Sequence, residues 1–149
     1  MASPVKRLVF GGEGGGNAVA DFGLLVLRAF AGLAMAFAHG LGKLPPSDGF
    51  VGATARLGFP LPEVFAWAAG LSEFVGGLLL AIGLATRPAA LAVAVTMAVA
   101  AFGAHGADPF SGQEKALLFL AIAACFVLTG AGRYSIDRLI SGRPRRLYS

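Results

Sequence analysis

Residues 62–84 read PEVFAWAAGLSEFVGGLLLAIGL. The run opens on a proline, which suits the first turn of a helix because its missing N–H would have no partner there. Apolar and small residues then continue for about the length that a helix needs to cross ~30 Å of hydrocarbon, roughly 17–25 residues. Beyond the first turn one charge, Glu73, falls inside it. Three further apolar stretches share this character, at about residues 22–42, 88–105 and 114–131. The first contains Arg28, and the core of the third has no charge. In lipid each stretch must satisfy its own backbone hydrogen bonds, so each is expected to be a helix. A soluble bundle would need polar helix faces, and the third and fourth stretches have almost none.

Composition agrees. Of 149 residues, 56% are hydrophobic and 13% charged, against roughly 25% charged in an ordinary soluble domain. Too few charges remain to cover a soluble globule, and the chain is too apolar to be disordered. One cysteine excludes an intramolecular disulfide framework, and no C-x-x-C or tight His/Cys spacing points to zinc or iron–sulfur. The net charge of +4 is concentrated in five arginines from Arg133 to Arg146, beside an apolar stretch. That placement reads as a membrane-flanking segment and not as a nucleic-acid surface.

The expected architecture is therefore all-α: an integral membrane four-helix bundle. Residues 1–21 read as a glycine-rich flexible tail, residues 22–132 as the four-helix domain and residues 133–149 as a basic tail. Glycines and Glu13 separate Lys6 and Arg7 from the first apolar stretch, so that stretch is read as retained and not as a signal peptide. Pro45-Pro46 ends the first helix, Pro60 and Pro62 precede the second, and Arg87-Pro88 makes a tight turn into the third. A faint echo links Ala36-Phe37-Ala38-His39-Gly40 with Ala101-Phe102-Gly103-Ala104-His105-Gly106. A repeat of helix pairs would produce it, but five matching residue types carry little weight in an alanine-rich chain.

Ionised groups within a membrane cost at least ~2.5–3.5 kcal/mol each on insertion scales, so they need partners or a function. Counted from a common membrane face, Arg28 lies roughly 10 Å deep and Glu73 roughly 16 Å deep at 1.5 Å per residue. The difference is within an arginine's reach, so the two are expected to pair. Arg28, Gly32, Met35, His39 and Lys43 share one helical face, which should line the bundle interior. His39 and His105 fall at corresponding helix ends, with Asp108, Glu114 and Lys115 nearby. These residues could form a polar pocket in which a histidine exchanges protons near neutral pH. No two of them have a tight metal-ligand spacing, and no metal is assigned. Trp67 and Phe65 suit an interfacial depth. Cys125 reads as inert packing, and Thr129 as bonded to the preceding turn's carbonyl.

These pieces together resemble the DoxX family of small four-helix membrane proteins. The matching segments are Leu27-Arg28, His39-Gly40-Leu41-Gly42-Lys43-Leu44, Gly70-Leu71-Ser72-Glu73 with Gly76-Gly77, Gly83-Leu84-Ala85-Thr86-Arg87, and Gly130-Ala131-Gly132-Arg133-Tyr134-Ser135-Ile136-Asp137. The family often has proline where this chain has Ala131. The resemblance implies a multi-pass protein of the bacterial or archaeal inner membrane, and Arg28, His39, Lys43 and Glu73 as family-motif residues. It also implies a link to quinone-linked, thiosulfate-oxidising or thiol- and oxidative-stress systems.

The leading expectation is a subunit of such an oxidoreductase system. His39 and Glu73 would be its catalytic proton carriers, and Arg28, Lys43, His105 and Glu114 would bind the ligand. The chain has no resident redox-cofactor motif. The expected ligand is a quinone or a similar lipophilic redox molecule, with electrons supplied through a partner protein or larger membrane complex. The alternative is a non-catalytic membrane anchor or assembly subunit, its basic tail binding anionic lipid or a partner. A small transporter has only the faint repeat in its favour.

Basic residues flanking the stretches fall mostly on the side of both termini, so both termini are expected to be cytoplasmic. Single cysteines placed in the C-terminal segment should react with membrane-impermeant thiol reagents only in inverted vesicles. Labelling in intact cells would reverse the orientation.

Overall fold

The computed structural model describes residues 17–141. The glycine run Gly11–Gly16 and Arg143, Arg145 and Arg146 lie outside the described residues. Four helices are long and apolar enough to cross a membrane: α1 (Ala18–Lys43), α3 (Pro62–Ile82), α4 (Thr86–Ala104) and α5 (Phe110–Thr129). Two short helices accompany them, α2 (Asp48–Arg56) between α1 and α3, and α6 (Ile136–Ser141) after α5.

Each boundary has a local cause. The Asn17 side chain accepts the Val19 N–H at 2.9 Å and caps α1. The helix thus starts four residues before the apolar stretch does. Asp21 would be costly there unpaired, but its carboxylate accepts the Arg133 N–H at 3.2 Å. Ser47 caps α2 through the Phe50 N–H. Gly83 ends α3 in the left-handed conformation, φ 70°. α5 begins at Phe110 directly after Pro109, one turn before Glu114.

The bundle is polar inside and apolar outside. Arg28, Glu73, Thr86, Asp21 and Asp137 are buried, while Phe30 and Leu128 are about three-quarters exposed. A soluble monomer rarely shows such a surface, whereas hydrocarbon accepts it. Neighbouring helices pack in chain order: α1 on α3, α3 on α4, and α4 on α5. α1 meets α5 through side chains such as His39 and Phe119.

The α1–α3 contact is backbone on backbone. A Cβ on Gly32 would stand 2.5 Å from the Gly77 carbonyl oxygen and 2.6 Å from the Ala81 nitrogen. One on Gly77 would stand 2.9 Å from the Ala36 nitrogen, and one on Gly40 would run into the Phe74 backbone. One on Gly70 would approach the Lys43 carbonyl at 3.2 Å. Small residues at 32, 36 and 40 thus form a membrane-type close-packing stripe. They also set the sliding register. Lys43 stands level with Gly70, eight residues inside α3 and roughly 12 Å along it at 1.5 Å per residue. At the other end Arg28 stands level with Gly83.

Both echoed segments are π turns, Met35–Gly40 and Val99–Ala104. The Leu41 N–H reaches back to the Ala36 carbonyl, and the His105 N–H to the Ala100 carbonyl at 2.9 Å. The resemblance in sequence is therefore matched by the same local widening at corresponding ends of α1 and α4. Such turns are rare and gather at functional sites.

If the glycine stripe sets the register, Gly40→Leu should cost at least about 1–3 kcal/mol through overpacking. Gly23→Ala, where a Cβ meets nothing within 4 Å, should be neutral or slightly stabilising. Unfolding in mixed micelles compares the two.

Candidate functional site

Lys43 and Glu73 form the central feature. The Lys43 Nζ stands 2.5 Å from Glu73 Oε1. Glu73 is fully buried, while about a third of the Lys43 side chain is exposed. Among the described residues, Glu73 Oε2 has no hydrogen-bond partner. The Lys43 ammonium also lies over the Phe50 ring, 5.4 Å from its centroid, a cation–π contact supplied by α2. His39, half-buried, sets its ring edge-on to Phe119 of α5, with centroids 5.4 Å apart. Behind them lie Met35, Met97 and Ala101 in an apolar cluster. Beside Glu73, Ser72 accepts a hydrogen bond from the Thr96 hydroxyl at 3.0 Å, tying α3 to α4.

The expected pairing of Arg28 with Glu73 does not form. That expectation counted both depths from a common starting face. The glycine contacts instead place Arg28 level with Gly83, ten residues from Glu73 along α3, or roughly 15 Å at 1.5 Å per residue. Lys43 is brought to the carboxylate in its stead. The face shared by Arg28, His39 and Lys43 does turn inward, but it serves two separate places.

Arg28 belongs to a latch at the terminal end of the bundle. Its guanidinium donates to the Ala81 carbonyl at 3.2 Å and to the Tyr134 carbonyl. Gly83 leaves room for it, since a Cβ there would collide with the guanidinium. Asp137 accepts the Ala85 N–H at 2.7 Å and the Thr86 N–H at 2.9 Å, so a side chain from α6 caps α4. The Ser135 hydroxyl donates to the Gly132 carbonyl at 2.8 Å. The segment from Gly130 to Asp137 thereby folds back across the ends of α1, α3 and α4. Asp21, Ser135 and Asp137 were not among the sequence candidates. The available signal was an α4 start at Thr86-Arg87-Pro88 with no capping side chain just before it.

His105 and Glu114 lie at the opposite, loop end. The His105 Nδ1 is 2.7 Å from Asp108 Oδ2, and both side chains are about half exposed. Glu114 and Lys115 are exposed at the start of α5. No group of three or more His, Cys, Asp or Glu side chains able to hold a metal occurs among the described residues. Cys125 is half-buried, and the Thr129 hydroxyl donates to its carbonyl at 2.9 Å, as expected. Trp67 and Phe65 are partly exposed on α3.

The DoxX family model matches residues 23–106, which covers more than half of the chain and includes Arg28, His39, Lys43 and Glu73. The chain belongs to the DoxX family. Its relatives include a Bacillus subtilis protein named "Putative oxidoreductase CatD", 31% identical over 121 residues, covering 80% of this chain and 88% of that one. The Escherichia coli "Inner membrane protein YqjF" is 36% identical over 130 residues, covering 81% and 94%. The Escherichia coli "Inner membrane protein YphA" is 31% identical over 132 residues, covering 79% and 94%. No solved structure gives a significant match. In this DoxX chain the Gly130–Asp137 segment lies beyond the matched residues, yet it is what closes the bundle end.

A buried pair broken on one side leaves an uncompensated charge, at a cost of about 3–5 kcal/mol. Lys43→Met should fall within that range, because the carboxylate it leaves unpaired is the fully buried partner. Lys43→Met combined with Glu73→Leu should recover most of the loss. Thermal melts of the two single variants and the double variant in lipid discs measure this. Additive losses would mean that the two residues do not act as a pair.

Proposed function

We propose that this DoxX protein is an inner-membrane subunit of a quinone-linked or thiol- and sulfur-related oxidoreductase system. It binds a lipophilic redox molecule at His39, Lys43 and Glu73. The observation that carries this reading is Glu73. A fully buried carboxylate with one oxygen held by Lys43 and the other unpartnered is costly inside an apolar bundle, and such groups are usually functional. The name of the Bacillus subtilis relative supports the oxidoreductase class, and the names of the two Escherichia coli relatives support the inner membrane.

A bound quinone would supply two-electron, two-proton chemistry. The residues fit the reduced, hydroxyl-bearing form of such a group: an unpartnered buried acceptor for its O–H, a cation beside it for a ligand oxygen, and aromatic rings of Phe119 and Phe50 nearby. Lys43 holds negative charge on a ligand oxygen. Glu73 would exchange a proton with the ligand, and His39, half-buried against Phe119, would relay it in the same direction as the electrons, which would be exchanged with a partner protein. Arg28 is committed to backbone carbonyls at the other end and acts as a structural clamp. His105, bonded to Asp108, and the exposed Glu114 are assigned to ligand entry from the loop end.

His39→Ala should lower turnover with a short-chain quinone and the native partner complex by roughly 10²-fold, the usual worth of a general acid–base group. The melting temperature should stay unchanged. Wild-type turnover in that variant would favour the anchor role instead. The latch that fixes the basic C-terminal segment to the bundle end would then be the functional surface.

A further inference from the structure

We infer that the Glu73 carboxylate selects a ligand carrying an O–H donor, namely a neutral, lipid-soluble hydroxy-arene of the hydroquinone class, over the corresponding quinone. This rests on the reading of the site given above and narrows its ligand. Glu73 Oε1 accepts a hydrogen bond from the Lys43 ammonium at 2.5 Å, and a carboxylate held in that way offers acceptor lone pairs. Oε1 is taken by Lys43, whereas Oε2 is buried with no partner among the described residues. What completes it must donate. A quinone offers two carbonyl oxygens, both acceptors, and would set lone pairs against lone pairs. A hydroquinone offers O–H groups and makes a charge-assisted bond, the stronger kind.

The surroundings set the rest of the ligand's character. Lys43 is the partly exposed side of the pair and keeps N–H groups for a second ligand oxygen. The His39 and Phe119 rings bridge α1 and α5, two helices that approach through side chains and not along their backbones. Two half-buried rings therefore form the flank of the site between α1 and α5. Entry by that route excludes a charged ligand, for which desolvation is prohibitive, and favours one with a flat apolar face. Glu73 then takes up a ligand hydroxyl proton without any further polar group having to move.

The test uses the full chain in lipid discs under anaerobic conditions. Binding of tetramethylhydroquinone, its dimethyl ether and tetramethylbenzoquinone is measured by calorimetry. The hydroquinone should bind at least about tenfold more tightly than the other two, as one charge-assisted hydrogen bond predicts. Lys43→Met/Glu73→Leu should abolish the preference while melting cooperatively. Equal affinities for all three compounds would overturn the donor selection and leave the lipophilic-ligand reading standing. No binding of any of them would overturn both. A preference that survives in the double variant would overturn Glu73 as its source.

Discussion

The close contact between α1 and α3 governs the rest of the molecule. In hydrocarbon no hydrophobic force presses helices together, so packing depends on how near the backbones can come. Gly32, Ala36 and Gly40 on one side, and Gly70 and Gly77 on the other, bring the two backbones into direct contact. Such a contact tolerates little sliding, because a shift of one residue would put a side chain where a carbonyl now sits. The register decides which charges meet. It carries Lys43 down to Glu73 and leaves Arg28 at the level of Gly83.

From that register the molecule acquires two polar centres of different kinds. At the terminal end the donors and acceptors are largely satisfied by backbone: Arg28 on two carbonyls, Asp137 on two N–H groups, Asp21 on a third. Those contacts stitch α6 and the segment before it to the helix ends, which suits a structural role. In the other half the polar groups are fewer and are not tied to backbone. Glu73 keeps an open oxygen, Lys43 is partly exposed, and His39 touches an aromatic ring. A π turn precedes the last turn of α1 at this level, and another ends α4. Buried atoms without a partner occur at both centres, Arg28 Nε, Thr86 Oγ1 and Arg87 Nε at the terminal end and Glu73 Oε2 here; what sets Glu73 apart is an open carboxylate acceptor beside a partly exposed lysine.

Much of this was legible from residue types alone. The four spans could be read because hydropathy over twenty residues is a local, additive property, and prolines and glycines marked most of the ends. His39, Lys43 and Glu73 stood out as charges or proton carriers inside apolar runs, and the fold gathers them. The partners were not legible. Arg28 bonds to carbonyls of Ala81 and Tyr134, and a carbonyl is present at every residue, so no side chain advertised the contact. The start of α1 at Ala18 was hidden because an acidic Asp21 is costly in a membrane helix until its partner, a backbone N–H 112 residues away, is known. Phe119 and Phe50 look like ordinary core or lipid-facing rings until α5 and α2 are docked. The helix register, above all, follows from which glycine meets which backbone, and that depends on three-dimensional fit.

The account stands or falls on Lys43 meeting Glu73 inside the bundle. The most direct measurement is magic-angle-spinning NMR of the chain in lipid bilayers, with lysine and arginine labelled with ¹⁵N and glutamate with ¹³C at the carboxyl. Magnetisation transfer should connect the Lys43 Nζ with the Glu73 carboxyl carbon at about hydrogen-bonded ion-pair range and vanish in Lys43→Met. Absence of that transfer, or transfer to Glu73 from the Arg28 guanidinium, would contradict the register and the site built on it.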